Sequence, residues 1–196
     1  MSKAFQFKIT LAMEEFDIWR RIIVPADITF NQFHFILQNS FNWLSYHLFD
    51  FRVFGDGEEG EEVAFVGEED DVYDDGSEED DIKTFPFDTP LSKFVPEFSR
   101  ILYSYDYGDG WLHYCEFEKT LDVNPSPYPV CTEGAGDAPP DDVGSEGGFA
   151  DFLSSINDKK HPDHDEMTEW GKGQEFTRFD LDKINKKLMR SLKRKR

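Results

Sequence analysis

No stretch of this sequence approaches the ~18 consecutive apolar residues that a membrane-spanning helix needs, so no membrane partner is expected. Cysteine is scarce. Cys115 and Cys131 are the only two, and they lie too far apart for a CxxC pair. That excludes a disulfide framework and a CxxC-based zinc module, and free thiols in a reducing compartment are the default. The first residues, Met1, Ser2, Lys3, Ala4 and Phe5, lack the apolar run of a signal peptide, so the cytoplasm is the expected compartment. Basic residues are outnumbered, 21 Lys and Arg against 41 Asp and Glu, for a net charge of −20. Such a chain repels a phosphate backbone, which argues against a general nucleic-acid binder. There is no phosphate-binding Gly-Lys-Ser/Thr loop, no nucleophile elbow and no HExxH pair.

What the chain does hold is aromatic. Hydrophobic residues make up only 38%, but 16% of the chain is aromatic and Phe alone accounts for 20 residues. Aromatic side chains bury a large area each, so a Phe-rich core can form from fewer residues. At 196 residues the chain fits a single domain over 1–196. Its acidity is concentrated. Residues 55–81 hold 15 carboxylates and no Lys or Arg, and the rest of the chain is left with 26 acidic against 21 basic residues. Residues 55–81 therefore read as an acidic, flexible insertion. Residues 186–196 read as a basic helical tail.

Periodicity predicts the elements. Phe5, Phe7, Ile9 and Leu11 alternate with polar residues and predict a strand, and residues 18–24 predict its antiparallel partner. Asp27 or Thr29 caps a helix whose apolar face is Phe30, Phe33, Ile36, Leu37 and Phe41. Residues 48–54 predict a third strand and 63–66 a short edge strand. A short helix should start at Thr89-Pro90-Leu91. Residues 100–107 and 111–121 flank Gly108-Asp109-Gly110 and predict a hairpin. The Pro- and Gly-rich residues 124–148 predict a long loop, and helices are expected over 146–157, 162–170 and 180–196. Strands first, helices last and one helix inserted early predict an α+β fold, with an antiparallel or mixed sheet carrying C-terminal helices.

Three constellations carry possible chemistry. Trp111, His113, Cys115 and Phe117 share one strand face, which the aromatics place inward. His113 is then either a core histidine satisfied by Asp106 or Asp109, or a metal ligand or general base. Cys131 and the Pro139-Pro140-Asp141-Asp142 segment form either a ligand-binding lip or simple loop chemistry, with Asp141 or Asp142 capping the next helix. His161 and His164, with Glu166 beside them, could converge on a cation, or else Asp163 and Glu166 serve the first turn of a helix. The candidate catalytic residues are thus Asp109, His113 and Asp142. The candidate binding residues are Tyr105, Asp106, Trp111, His113, Cys131, Pro140, Asp141 and Asp142. A metal could draw on His113, Cys131, His161 and His164. No cofactor is firmly implied, and a divalent metal is the one considered.

Several blocks resemble the plasmid pRiA4b ORF-3-like family, also described as a transposon passenger protein family. They are Ile18-Trp19-Arg20-Arg21-Ile22-Ile23-Val24-Pro25; Phe33-His34-Phe35-Ile36-Leu37-Gln38 with Trp43; and His47-Leu48 with Phe51. The most specific is Tyr103-Ser104-Tyr105-Asp106-Tyr107-Gly108-Asp109-Gly110-Trp111-Leu112-His113. Cys131-Thr132-Glu133-Gly134, Pro139-Pro140-Asp141-Asp142-Val143-Gly144, Gly147-Gly148-Phe149, His161-Pro162 with Trp170, and Phe176 with Asn185 complete the resemblance. The chain departs from the family pattern where Asp141 replaces a usual Glu and Ser145 the second Gly of a pair. The resemblance implies an α+β fold and no activity. The transposon label reflects genetic neighbourhood, and no nucleophilic Ser sits in an Arg-rich motif. The expected function is a non-catalytic binding or interaction domain with a protein or small-molecule partner. One alternative is a metal-assisted hydrolase built around His113 and residues 139–144. Another is an accessory in plasmid or transposon DNA transactions, acting through the basic tail.

Overall fold

A computed structural model describes residues 2–55, 60–68, 82–123 and 129–191. Most of the expected acidic insertion and the end of the basic tail, residues 56–59, 69–81 and 192–196, lie outside these. Along the chain run β1 (Ser2–Leu11), β2 (Trp19–Pro25), α1 (Phe30–Phe41), β3 (Phe49–Phe54), β4 (Glu62–Val66) and β5 (Thr84–Phe85). They are followed by β6 (Arg100–Tyr105), β7 (Trp111–Val123), β8 (Val130–Ala135), α2 (Ser145–Asn157), α3 (His164–Gly173) and α4 (Leu181–Ser191). The eight strands form one sheet in the order β5-β4-β3-β6-β7-β1-β2-β8. Every pair is antiparallel except β4–β5, so the fold is α+β with a mixed sheet. Among the described residues, no helix is long and apolar enough to cross a membrane.

The sheet is two-faced, as strict alternation requires. On β1 and β2, Phe5, Phe7, Ile9, Leu11, Ile22 and Val24 point into the core. The opposite face carries charge: Arg21 bonds Glu118 at 2.9 Å and Glu133 at 2.5 Å across three strands. Helix α1 lies on the core face. Thr29 opens it with a capping box, its side chain accepting from Gln32 N while the Gln32 side chain accepts from Thr29 N. Phe33 of α1 packs on Phe7 and Phe51, and Phe30 on Phe51 and Phe94. Edge-to-face and tilted ring contacts of this kind hold an aromatic core together beyond simple burial.

Three elements differ from the pattern-based expectation. Residues 63–66 do form a strand, but β5 pairs outside it, so β4 is not the edge. The short helix is a single 3₁₀ turn, Leu91–Lys93, and its N-cap is Pro90 rather than Thr89. The expected long loop contains β8, which pairs with β2. Its sequence has no apolar alternation because it is an edge strand covered by a helix. Asn185 of α4 donates to the Cys131 carbonyl at 2.9 Å and accepts from Cys131 N at 2.8 Å, taking the place of a further strand.

Candidate functional site

Three connections meet at one end of the sheet: the turn after α1, the β6–β7 turn, and residues 139–144. Each is bent by residues in the left-handed region, which favours glycine but is tolerated by Asn, Asp and Ser. Asn42, Ser45, Asp106, Asp142 and Ser145 all have φ between 55° and 65°. Non-glycine residues held there in a cluster are a common mark of a functional site.

The connections are tied together by two carboxylates, one of them buried. Asp141 is 1% exposed. It accepts from Leu44 N at 2.8 Å and from the Tyr105 hydroxyl at 2.9 Å. Burial raises its carboxyl pKa, opposed by the bond from Leu44 N. Asp109 accepts from Gly144 N at 3.0 Å, and its carbonyl takes the Ser145 hydroxyl at 2.8 Å. The Ser145 side chain thus makes a bond that helps hold its positive φ. Trp43 donates its indole N–H to the Pro139 carbonyl at 2.7 Å and stacks on Tyr105 at 4.9 Å.

Above this framework stand His47, Asp106 and Asp142. Asp106 is buried, and its Oδ1 accepts from Gly108 N and Asp109 N at 3.0 and 3.3 Å, which fixes its carboxylate. Its Oδ2 lies 3.4 Å from His47 Nε2. Asp142, half exposed, brings Oδ1 to 3.1 Å from the same nitrogen. Its Oδ2 accepts from the Tyr46 hydroxyl at 2.6 Å, and burial together with this carboxylate pushes the Tyr46 hydroxyl pKa upward. One atom of each of the three residues lies within 4.8 Å of the others. His47 Nε2 is shielded from solvent yet makes no properly directed hydrogen bond. Both oxygens are close, yet neither forms a hydrogen bond with the ring nitrogen. A divalent cation with bonds of about 2.1 Å at tetrahedral angles separates its ligand atoms by about 3.4 Å, close to both distances.

The structure places the sequence candidates in two groups. Tyr105, Asp106, Asp109, Pro140, Asp141 and Asp142 belong to this end of the sheet. Asp141 and Asp142 do not cap α2, whose N-cap is Gly144 with no side-chain bond. Trp111 and His113 lie beneath, in the core. His113 is fully buried among Phe41, Trp43 and Tyr103. It bonds the Tyr103 carbonyl at 3.3 Å, not Asp106 or Asp109. Burial lowers its pKa to about 3, which leaves the ring neutral. Cys131 is buried under α4, and burial raises its thiol to about 11. His161 Nδ1 accepts from Asp163 N at 3.2 Å, and His164 bonds the Ser155 carbonyl at 3.0 Å. His113, Cys131, His161 and His164 do not converge. Among the described residues the one convergent group is His47, Asp106 and Asp142. Sequence reasoning missed His47 and Tyr46 as site residues. Their signal was weak: two polar rings in the short connection between a helix and a strand.

A family model for plasmid pRiA4b ORF-3-like protein matches residues 3–188, which takes in all three connections. The chain belongs to the plasmid pRiA4b ORF-3-like family. An uncharacterised family relative, y4hQ of Sinorhizobium fredii, is 30% identical over 173 residues, 87% of this chain and 81% of that protein. A crystal structure of a protein of unknown function from Methanosarcina mazei Go1, MM3350, superposes with a TM-score of 0.73 at 28% identity, covering 93% of this chain and 97% of the other. As a pRiA4b ORF-3-like protein the chain therefore shares its fold with MM3350, and neither MM3350 nor y4hQ is described with an activity.

Proposed function

We propose that this protein is a metal-dependent binding domain in which His47, Asp106 and Asp142 hold a divalent cation. The observation that carries the reading is His47 Nε2, shielded and undirected, between two carboxylate oxygens at 3.1 and 3.4 Å. One imidazole and two carboxylates suit a first-row divalent ion such as Zn²⁺, Mn²⁺ or Fe²⁺. Three protein ligands leave coordination positions free, and half-exposed Asp142 places them toward solvent. An oxygen donor from a small molecule or a partner's side chain would complete the shell. The Tyr46 hydroxyl, which donates to Asp142, would stand beside that ligand.

Metal-assisted hydrolysis is the second reading, moved from His113 to His47. The free coordination positions favour it, since a metal-bound water is a nucleophile near neutral pH. Against it, the adjacent carboxylates are already engaged, Asp141 by Leu44 and Tyr105 and Asp109 by Gly144. No uncommitted base stands next to the cation among these groups.

The test is metal titration of the chelator-stripped protein with Zn²⁺, Mn²⁺ and Co²⁺, read by melting temperature and by the visible bands of bound Co²⁺. One equivalent should bind and stabilise the wild type, and His47→Ala should abolish both signals. If the wild type shows neither, the proposal fails. Turnover of p-nitrophenyl esters by the metal-loaded protein, lost in His47→Ala, would move the second reading ahead of the first.

A further inference from the structure

A groove of about 460 Å³ opens where the end of α1, residues 174–180 and α4 come together, and it shares no residue with the His47 centre. Its floor is apolar, formed by Phe41, Phe176, Phe179 and Ile184. Its charge is opposite to that of the chain. Arg20, Lys172, Arg178, Lys183, Lys186 and Lys187 line it with Glu175 and Asp180, and Lys172 and Arg178 also pair with Glu169 and Asp137, which leaves two cations in excess in a protein of net charge −20. A local excess of cations on an acidic protein is a focused positive field rather than a by-product of composition.

Arg20 sets the character of the floor. It is 2% exposed, and no carboxylate lies within ion-pair distance among the described residues. Its guanidinium donates only to carbonyls, those of Ser40, Trp19, Ala135 and Gly136. It lies against the rings of Phe41 and Phe179, at 5.1 and 4.4 Å. Burial lowers its pKa to about 10, so it stays charged at neutral pH. A buried cation held by carbonyl dipoles, with Asp137 acting on it only from beyond ion-pair distance, gains from an anion brought near it. Gly134 lets this floor close: a Cβ there would come within 3.0 Å of both Phe179 and the Arg20 side chain. On the rim, Lys183 has Asp180 at 3.9 Å, Lys187 has Glu175 at 3.6 Å, and Lys186 has no carboxylate partner among the described residues.

We propose that this groove is a binding site for a small organic anion, with its aromatic or acyl body on the Phe41–Phe179–Ile184 floor and its acidic group toward Lys183 and Lys186. The volume suits such a molecule, since small-ligand pockets span roughly 300–1,000 Å³. The apolar floor supplies affinity, and the cations select for charge.

The probe is 8-anilinonaphthalene-1-sulfonate, an aryl sulfonate, titrated by fluorescence into the natively folded full-length protein. Saturable binding at one per chain is expected, weakening as NaCl rises from 50 to 500 mM. The uncharged analogue N-phenyl-1-naphthylamine should bind at least tenfold more weakly. K183E/K186E changes two exposed side chains, so its melting curve should match the wild type while sulfonate affinity falls at least tenfold. The proposal is overturned if the wild type shows no saturable binding, or if the double variant or the uncharged analogue matches the wild-type sulfonate affinity.

Discussion

His113 and His47 stand at the same end of the sheet and have opposite fates. His113 is on β7, two residues beyond Trp111, and its ring is closed in by Phe41, Trp43 and Tyr103. His47 is in the connection before β3, and its ring meets two carboxylates. The core histidine is held neutral by desolvation, and its ring neighbours are aromatic rather than carboxylate. The rim histidine has partners that a cation would satisfy. A second core histidine, His34, makes the contrast stronger. Its Nδ1 lies 2.7 Å from the Tyr103 hydroxyl and its Nε2 2.7 Å from Ser45, so both nitrogens are used in structure. Burial, rather than residue type, decides which histidine is available for chemistry.

The comparison breaks most visibly at Trp43, which joins the two regions by stacking on Tyr105 and bonding Pro139. Trp43→Ala should cost about 3–5 kcal/mol in urea unfolding, through lost burial, the cavity and the freed carbonyl. A cost near zero would mean that core and rim are not coupled through this ring.

Asp141→Asn tests the framework below the proposed metal ligands. Asp141 accepts two bonds, and an amide offers a single oxygen. A loss of about 1–3 kcal/mol is expected, with the Co²⁺ spectrum changed or weakened. An unchanged melting temperature and spectrum would show that Asp141 neither supports nor positions the rim.

A third measurement follows pH. His34 has its folded pKa lowered to about 3, against an ordinary 6.5. Its contribution is fully present above 6.5 and is lost as pH falls toward 3, because only the unfolded chain takes up the proton. The wild type should therefore lose about 1.4 kcal/mol per pH unit in this window relative to His34→Gln. Parallel stability curves for the two proteins would show that His34 is charged in the folded state.

The smallest effect on folding is expected at His47→Ala, below about 1 kcal/mol without metal, since the side chain is on the rim and makes no directed bond. The same variant should lose the whole metal-induced rise in melting temperature. A large metal-free loss would make His47 a structural residue like His113.

Much of the fold was legible in local pattern. The alternation of Phe5, Phe7, Ile9 and Leu11, the spacing of Phe30, Phe33, Ile36 and Leu37, and the Gly108-Asp109-Gly110 turn each follow from the geometry of one element. Strand β8 was not legible, because its partners are β2 and the side chain of Asn185, far along the chain. Half of the site was legible as well. Tyr105, Asp106, Asp141 and Asp142 stood out as polar residues in turns. Nothing local to His47 or His113 distinguishes a ligand from a core residue, since exposure depends on what packs over each ring.

The sequence by itself determined the α+β class, the Phe-rich core, the inward face of β7 and the concentration of most of the net negative charge in one segment. These depend on periods of two and of three to four residues, and on composition. Only the tertiary structure decided that His47 rather than His113 meets Asp106 and Asp142, and that Arg20, Lys183 and Lys186 share a groove. Those arrangements join residues from three connections or from opposite ends of the chain. Their distances are set by packing of the aromatic core, which no local window records.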